Sequence, residues 1–245
     1  MAAASPTASA GSFAPSYDGH AVRFLGASPA TAGLVGRIDA EMAGAVDAVT
    51  AFWGNDWTSD IVVVATRSDA EFAAAAGDST RDWSGVAAVA VADHADPAAR
   101  EATGQRIVFA PGADAMADAA LRLVLRHELF HLAARADTAG DAPRLLTEGV
   151  ADFVARPATP VPRGILAVLP SDTDLDSPGP GRSAAYDRAW WFARFVADTH
   201  GRQGLRLLYE RACGRDRDPL PEAVDTALGT DMADLLTDWQ HWLAT

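Results

Sequence analysis

The chain has 245 residues, 49% of them hydrophobic and 22% charged, enough for one large domain or two small lobes around a sizeable core. All 20 basic residues are Arg, and the net charge of −13 disfavours nucleic acid and anionic membrane surfaces as partners. A single cysteine, Cys213, excludes an intrachain disulfide and a cysteine-built zinc cluster.

Residues 1–19 are rich in Ala, Ser, Pro and Thr and read as a disordered leader. They lack the basic region and apolar core of a signal peptide, and their linker character points to a secreted or cell-surface protein. No run of about 20 apolar residues is present, so no membrane span is expected. A strand is expected at 21–25. Helical spacing of Leu34, Ile38, Met42, Val46 and Val49 predicts a helix over 31–52. The β-branched run 61–65 reads as a buried strand, and Ser68 with Glu71 reads as a capping box opening a helix to Ala76. Segments 86–91 and 106–110 are further strands, joined by the acidic, Ala-rich link 93–104.

Asp114 or Asp118 is expected to cap a helix running to about Ala136, and a second helix covers 144–155. The proline-rich stretch 157–180 reads as a loop bordering a cleft. Helices follow at 183–199, with Gly201 as C-cap, at 203–212, at 221–228, and from the Asp231 cap to the end. In the last helix Met232, Leu235, Leu236, Trp239 and Trp242 face inward. Strands before and helices after give an α+β class for one domain over 20–245.

The chemistry gathers at His127-Glu128-Leu129-Phe130-His131. Residues four apart share a helix face, so His127 and His131 can bind one metal ion from the same side. Glu128 lies about 100° round the helix, where it can act as general base on a water held by that ion. Zn²⁺ suits two imidazoles plus a third protein ligand, with one position left open. Two downstream acids could supply that ligand, Glu148 and Asp137. His20, His94, His200 and His241 lack ligand spacing and read as surface or capping residues. Trp190, Trp191, Trp239 and Trp242 read as core.

His-Glu-x-x-His followed by Pro143-Arg-Leu-Leu-Thr-Glu-Gly-Val-Ala-Asp-Phe resembles the gluzincins, the thermolysin-like zinc metallopeptidases. It is most similar to the bacterial peptidase MA-like group, whose pattern is His-Glu-Leu-x-His … Pro-x-Trp-Leu-x-Glu-Gly-x-Ala-x-Tyr. Leu145 stands where that pattern has Trp, and Phe153 where it has Tyr. The likeness extends over roughly 20–245 and is strongest over 105–200. Metzincins place a third ligand where Asp137 lies, but they need a Gly turn where this chain has Ala134, and no Met-turn follows.

The gluzincin resemblance implies several assignments. Glu148 is the third zinc ligand, and Asp152 orients a ligating His. Tyr186 donates to the developing oxyanion. The fold is zincin-like, with a small mixed-sheet lobe (20–112), a mostly helical lobe (113–245) and a zinc cleft between them. The strand 106–110 forms the cleft rim and pairs with an extended peptide or protein substrate. The implied function is zinc-dependent peptide hydrolysis. The rival is a non-catalytic zincin-fold binding module, disfavoured because a structural zinc site needs no base beside its first ligand.

Overall fold

The computed structural model describes residues 15–161, 164–177 and 179–244. Two strands, β1 (Ser16–Tyr17) and β2 (His20–Leu25), open it, followed by α1 (Ala32–Trp53), β3 (Asp60–Ala65) and α2 (Asp69–Ala76). Four short strands come next: β4 (Ala88–Val91), β5 (His94–Asp96), β6 (Glu101–Thr103) and β7 (Arg106–Phe109). After a 3₁₀ turn at Pro111–Ala115 the chain becomes helical. The helices are α3 (Asp118–Ala134), α4 (Arg144–Ala155), α5 (Asp172–Asp176), α6 (Pro180–Cys213), α7 (Leu220–Leu228) and α8 (Met232–Leu243). The class is mixed α and β. No helix among the described residues is long and apolar enough to cross a membrane.

The main sheet has the order β1-β2-β3-β7-β4, with β2, β3 and β7 parallel and the two outer strands antiparallel. Strand β3 alternates, burying Ile61, Val63 and Ala65 towards α1. Helix α1 answers with Leu34, Ile38, Met42, Val46 and Val49, each at most 2% exposed. Burying each such side chain contributes roughly 1.5–3 kcal/mol relative to exposure. That core continues without a break into the helical part, through Leu125, Phe130, Leu146, Trp191 and Trp239. Helix α2 covers the other sheet face, where Phe72 meets Val108. Its Ser68 cap accepts the Glu71 N–H, but the Glu71 carboxylate takes the Arg67 N–H (2.9 Å) instead of the Ser68 N–H, so the expected capping box is half formed.

Several expectations are corrected. The leader boundary falls earlier than 19, because Ser16–Tyr17 pairs with β2; residues 1–14 lie outside the described residues. The link 93–104 is a hairpin of β5 and β6. Residues 157–180 hold a five-residue helix, α5, with a full capping box between Ser171 and Asp174. Neither Asp114 nor Asp118 caps α3, because the N-cap is Ala117: Asp118 is already the first helical residue and Asp114 lies in the preceding 3₁₀ turn, and Arg37 of α1 donates to the Asp118 carboxylate (2.9 Å) and the Asp114 carbonyl (2.9 Å). The expected helix end at Gly201 holds, with a non-helical φ of 78° separating two helical arms of α6; only the start differs, falling at Pro180 rather than Ser183.

Helices α4 and α6 pack together at Gly149. A Cβ there would lie 2.5 Å from the Ala189 carbonyl oxygen. Gly→Ala inside a helix ordinarily stabilises by about 1 kcal/mol. Here the sign reverses: Gly149→Ala is expected to cost about 1–3 kcal/mol through overpacking, measured by denaturant unfolding.

Candidate metal centre

Helix α3 buries Leu121, Leu125, Leu129, Phe130 and Leu132 on one side. Its other side carries His127 and Glu128 to the wall of a cavity of about 820 Å³, with His131 one turn beyond His127. After a 3₁₀ turn at Arg135–Asp137 the chain reverses into α4, which packs against α3. That reversal brings Glu148 over the histidine pair.

Three atoms converge. His127 Nε2 and His131 Nε2 lie 3.1 Å apart, and Glu148 Oε2 lies 3.3 Å from the first and 3.6 Å from the second. Ligand bonds of 2.0–2.1 Å at tetrahedral angles give donor separations of about 3.3 Å. The spacing therefore fits a single small cation, and the His127, His131 and Glu148 cluster could hold a metal ion.

The surroundings favour positive charge at that point. Burial opposes a charged imidazole at His127, yet hydrogen bonds with Asp152 and Glu148 outweigh it and raise its pKa well above the ordinary value. Burial likewise opposes ionisation of Glu148, but the two histidines hold its carboxyl well below the usual range. A metal cation would satisfy both demands.

Asp152 sits one turn beyond Glu148, buried, with Oδ1 3.0 Å from His127 Nδ1. This contact assigns the proton to Nδ1 and leaves the Nε2 lone pair facing the cluster. Arg156 Nη2 donates to the other Asp152 oxygen at 2.7 Å. Arg144, one turn before Glu148, places Nη2 3.6 Å from Glu148 Oε1 and 3.3 Å from the Tyr186 hydroxyl. Tyr186 lines the same cavity as His127 and Glu128, and burial raises its phenol pKa. The two arginines were missed in the sequence, although their four-residue spacing from Glu148 and Asp152 is a legible signal.

Glu128 stands outside the three-atom cluster. Its Oε2 accepts the Ala90 N–H at 2.7 Å, and burial raises its pKa. Arg135 Nη2 donates to the Ala90 carbonyl at 2.9 Å, so the Ala90 peptide is held from both ends by α3 and its C-cap.

This contact corrects the expected rim. The strand 106–110 is paired on both sides, by β3 and β4, and has no free edge. Strand β4 is the edge beside Glu128. The Ala87 carbonyl accepts the Ala110 N–H, so by alternation Val89 and Val91 bond β7 while Ala88 and Ala90 face away from the sheet.

Asp137 does not join the cluster. Its carboxylate pairs with Arg100 at the tip of the β5–β6 hairpin, where Arg100 has φ 52°. His20, expected at the surface, is buried, stacked on Trp57 at 3.7 Å, with Nδ1 2.8 Å from the Thr58 carbonyl oxygen. His94 and His241 are exposed, and His200 is half-buried. Trp191 and Trp239 are core, as expected, while Trp190 is buried but also borders the cavity. Cys213 is buried, and burial pushes its thiol pKa up, away from nucleophilic use.

Comparison of the chain with family models, with curated proteins and with solved structures gave no match.

Proposed function

We propose that this chain is a zinc-dependent metallopeptidase of the gluzincin type, with a zincin-like fold and its zinc site between the sheet and the helices. The observation that carries the reading is the convergence of His127, His131 and Glu148 at 3.1–3.6 Å with the Glu128 carboxylate, held by the Ala90 N–H and outside the three-atom cluster, beside them. Two imidazoles and one carboxylate are the donor set of a catalytic zinc, whereas structural sites favour four closed ligands and cysteine.

Zinc bound there would supply Lewis acidity, activating a water and polarising a scissile carbonyl. The chain's own groups do the rest. Glu128 takes the proton of the attacking water and passes it to the leaving amine. Asp152 holds the His127 ring and tautomer fixed. Tyr186 lies where a phenol O–H can meet an oxyanion formed beside Glu148, and Arg144 holds its hydroxyl in place. Ala88 on β4, whose N–H and C=O point away from β7 and which lines the cavity, offers the substrate backbone a strand to pair with, and the hydrogen bond from the Ala90 N–H ties that strand to the base.

Purified protein is expected to contain about one zinc per chain. It should cleave an unfolded protein substrate, lose activity on exhaustive chelation and regain it with added zinc. Absence of bound metal would refute the reading. Full zinc with no cleavage across a broad substrate panel would favour the non-catalytic binding module.

A further inference from the structure

The cavity beside Glu128 has two unlike banks. Met116, Ala120 and Leu123 offer apolar surface on one, and Arg156 and Arg182 stand on the other. Arg156 is neutralised: it donates to Asp152 and to Asp187, each at 2.7 Å, and lies 4.7 Å from the Trp190 ring centroid. Arg182 differs. Its Nε donates to the Ser177 carbonyl at 3.1 Å and its Nη2 to the Asp176 carbonyl at 3.2 Å. Both acceptors are backbone dipoles, and Arg182 forms no ion pair among the described residues. A guanidinium carries five N–H donors, so Arg182 keeps its full charge and unused donors at Nη1.

Two neighbouring acids are already paired, Asp176 with Arg144 and Asp187 with Arg156. Asp82, in an adjoining cavity that shares Gly85 and Ala87, accepts the Ser84 N–H at 2.9 Å; that bond first, and the Arg182 charge at longer range, hold its carboxyl below the usual range, but the two side chains form no direct ion pair among the described residues. Arg182 also lies in the first turn of α6, which holds no acidic residue, and the helix dipole adds positive potential there. It is one turn before Tyr186, on the same helix face. A protein of net charge −13 thus keeps, in the wall of its candidate site, a guanidinium with no direct ion-pair partner among the described residues.

We infer that Arg182 is a specificity residue that receives a carboxylate of the peptide substrate. This rests on the peptidase reading above. The carboxylate belongs to an acidic side chain or to the peptide C-terminus; both present the same two oxygens to the guanidinium fork.

The test uses the zinc-loaded Glu128→Gln protein, which binds without cleaving, and fluorescein-labelled octapeptides in matched pairs. One pair differs as internal Glu against Gln, the other as free C-terminal carboxylate against carboxamide. Dissociation constants come from fluorescence anisotropy. In one pair the carboxylate member should bind roughly tenfold to a hundredfold more tightly, and that pair identifies the source. Adding Arg182→Gln should bring this ratio to about one, and Arg182→Lys should retain part of it, because charge survives without the fork. If Arg182 merely staples the end of α5, Arg182→Gln weakens both members alike and the ratio persists, which overturns the inference. A ratio near one in both pairs, or no peptide binding at all, also overturns it. Cleavage by the unsubstituted protein without carboxylate preference would leave the peptidase reading standing alone. Carboxylate preference without any cleavage would do the reverse.

Discussion

Replacing Glu128 by Gln is expected to abolish peptide cleavage while leaving about one zinc per chain. The reason is geometric. Glu128 Oε2 points to the Ala90 N–H at 2.7 Å and is not among the three converging donor atoms. A Gln side chain of the same shape keeps an oxygen to accept that N–H, so strand β4 stays tied to α3. What disappears is the ability to take and return a proton. General acid–base catalysis contributes about 10²–10⁴-fold, and the variant should lose at least that much in kcat. Zinc content by elemental analysis and turnover of an unfolded substrate, measured on the same preparation, decide it. Loss of zinc together with activity would mean that Glu128 serves the metal directly. Full activity would remove it from the chemistry.

How much of this was legible in the sequence depends on the range of the interaction. Local patterns read well. The apolar spacing of α1, the β-branched run of β3 and the Ser68 cap each involve residues within a turn or two, and each element forms where expected. The His-Glu-x-x-His spacing likewise fixed one helix face. Glu148 and Asp152 were within reach because α4 follows α3 after a short reversal, and the structure brings both to the histidines.

Long-range pairing was not legible. Segments 86–91 and 106–110 are both short and apolar, and nothing local tells which becomes the sheet edge. The order β3-β7-β4 decides that, and it transferred the rim from the expected strand to β4. His20 looked like any polar residue near a terminus until Trp57 stacked on it from 37 positions away. The α5 helix hid among prolines, its capping box supporting only five residues. The charge balance of the cavity was also invisible. Only the folded arrangement shows Arg156 tied to two carboxylates and Arg182 tied to none among the described residues.

Glu148→Ala is expected to weaken zinc binding by well over a hundredfold, more than any other acid substitution near the site. Removing a carboxylate that merely orients a ligating His typically costs about 10- to 100-fold, and that is the expectation for Asp152→Ala. Glu148 supplies one of the three donor atoms, so its loss should exceed that range. Asp137→Ala should leave zinc affinity unchanged, since its partner is Arg100 on the half-exposed β5–β6 hairpin. There the loss is a surface ion pair, worth about 0–1 kcal/mol of stability. Competition with a chelator of known affinity ranks the three variants. Thermal unfolding gives a second readout that does not depend on activity. A ligand present at a hundred times its Kd stabilises by about 2.7 kcal/mol, so zinc should raise the Tm of the parent and of Asp137→Ala but barely that of Glu148→Ala. The zinc-induced shift is the quantity to compare, not the metal-free Tm. Deleting Glu148 both removes the cost of burying a carboxylate and breaks its pairing with His127, and these push the metal-free protein in opposite directions. If Asp137→Ala proved the more damaging, the ligand would lie on the C-terminal side of α3 rather than on α4. The gluzincin reading would then fall with it.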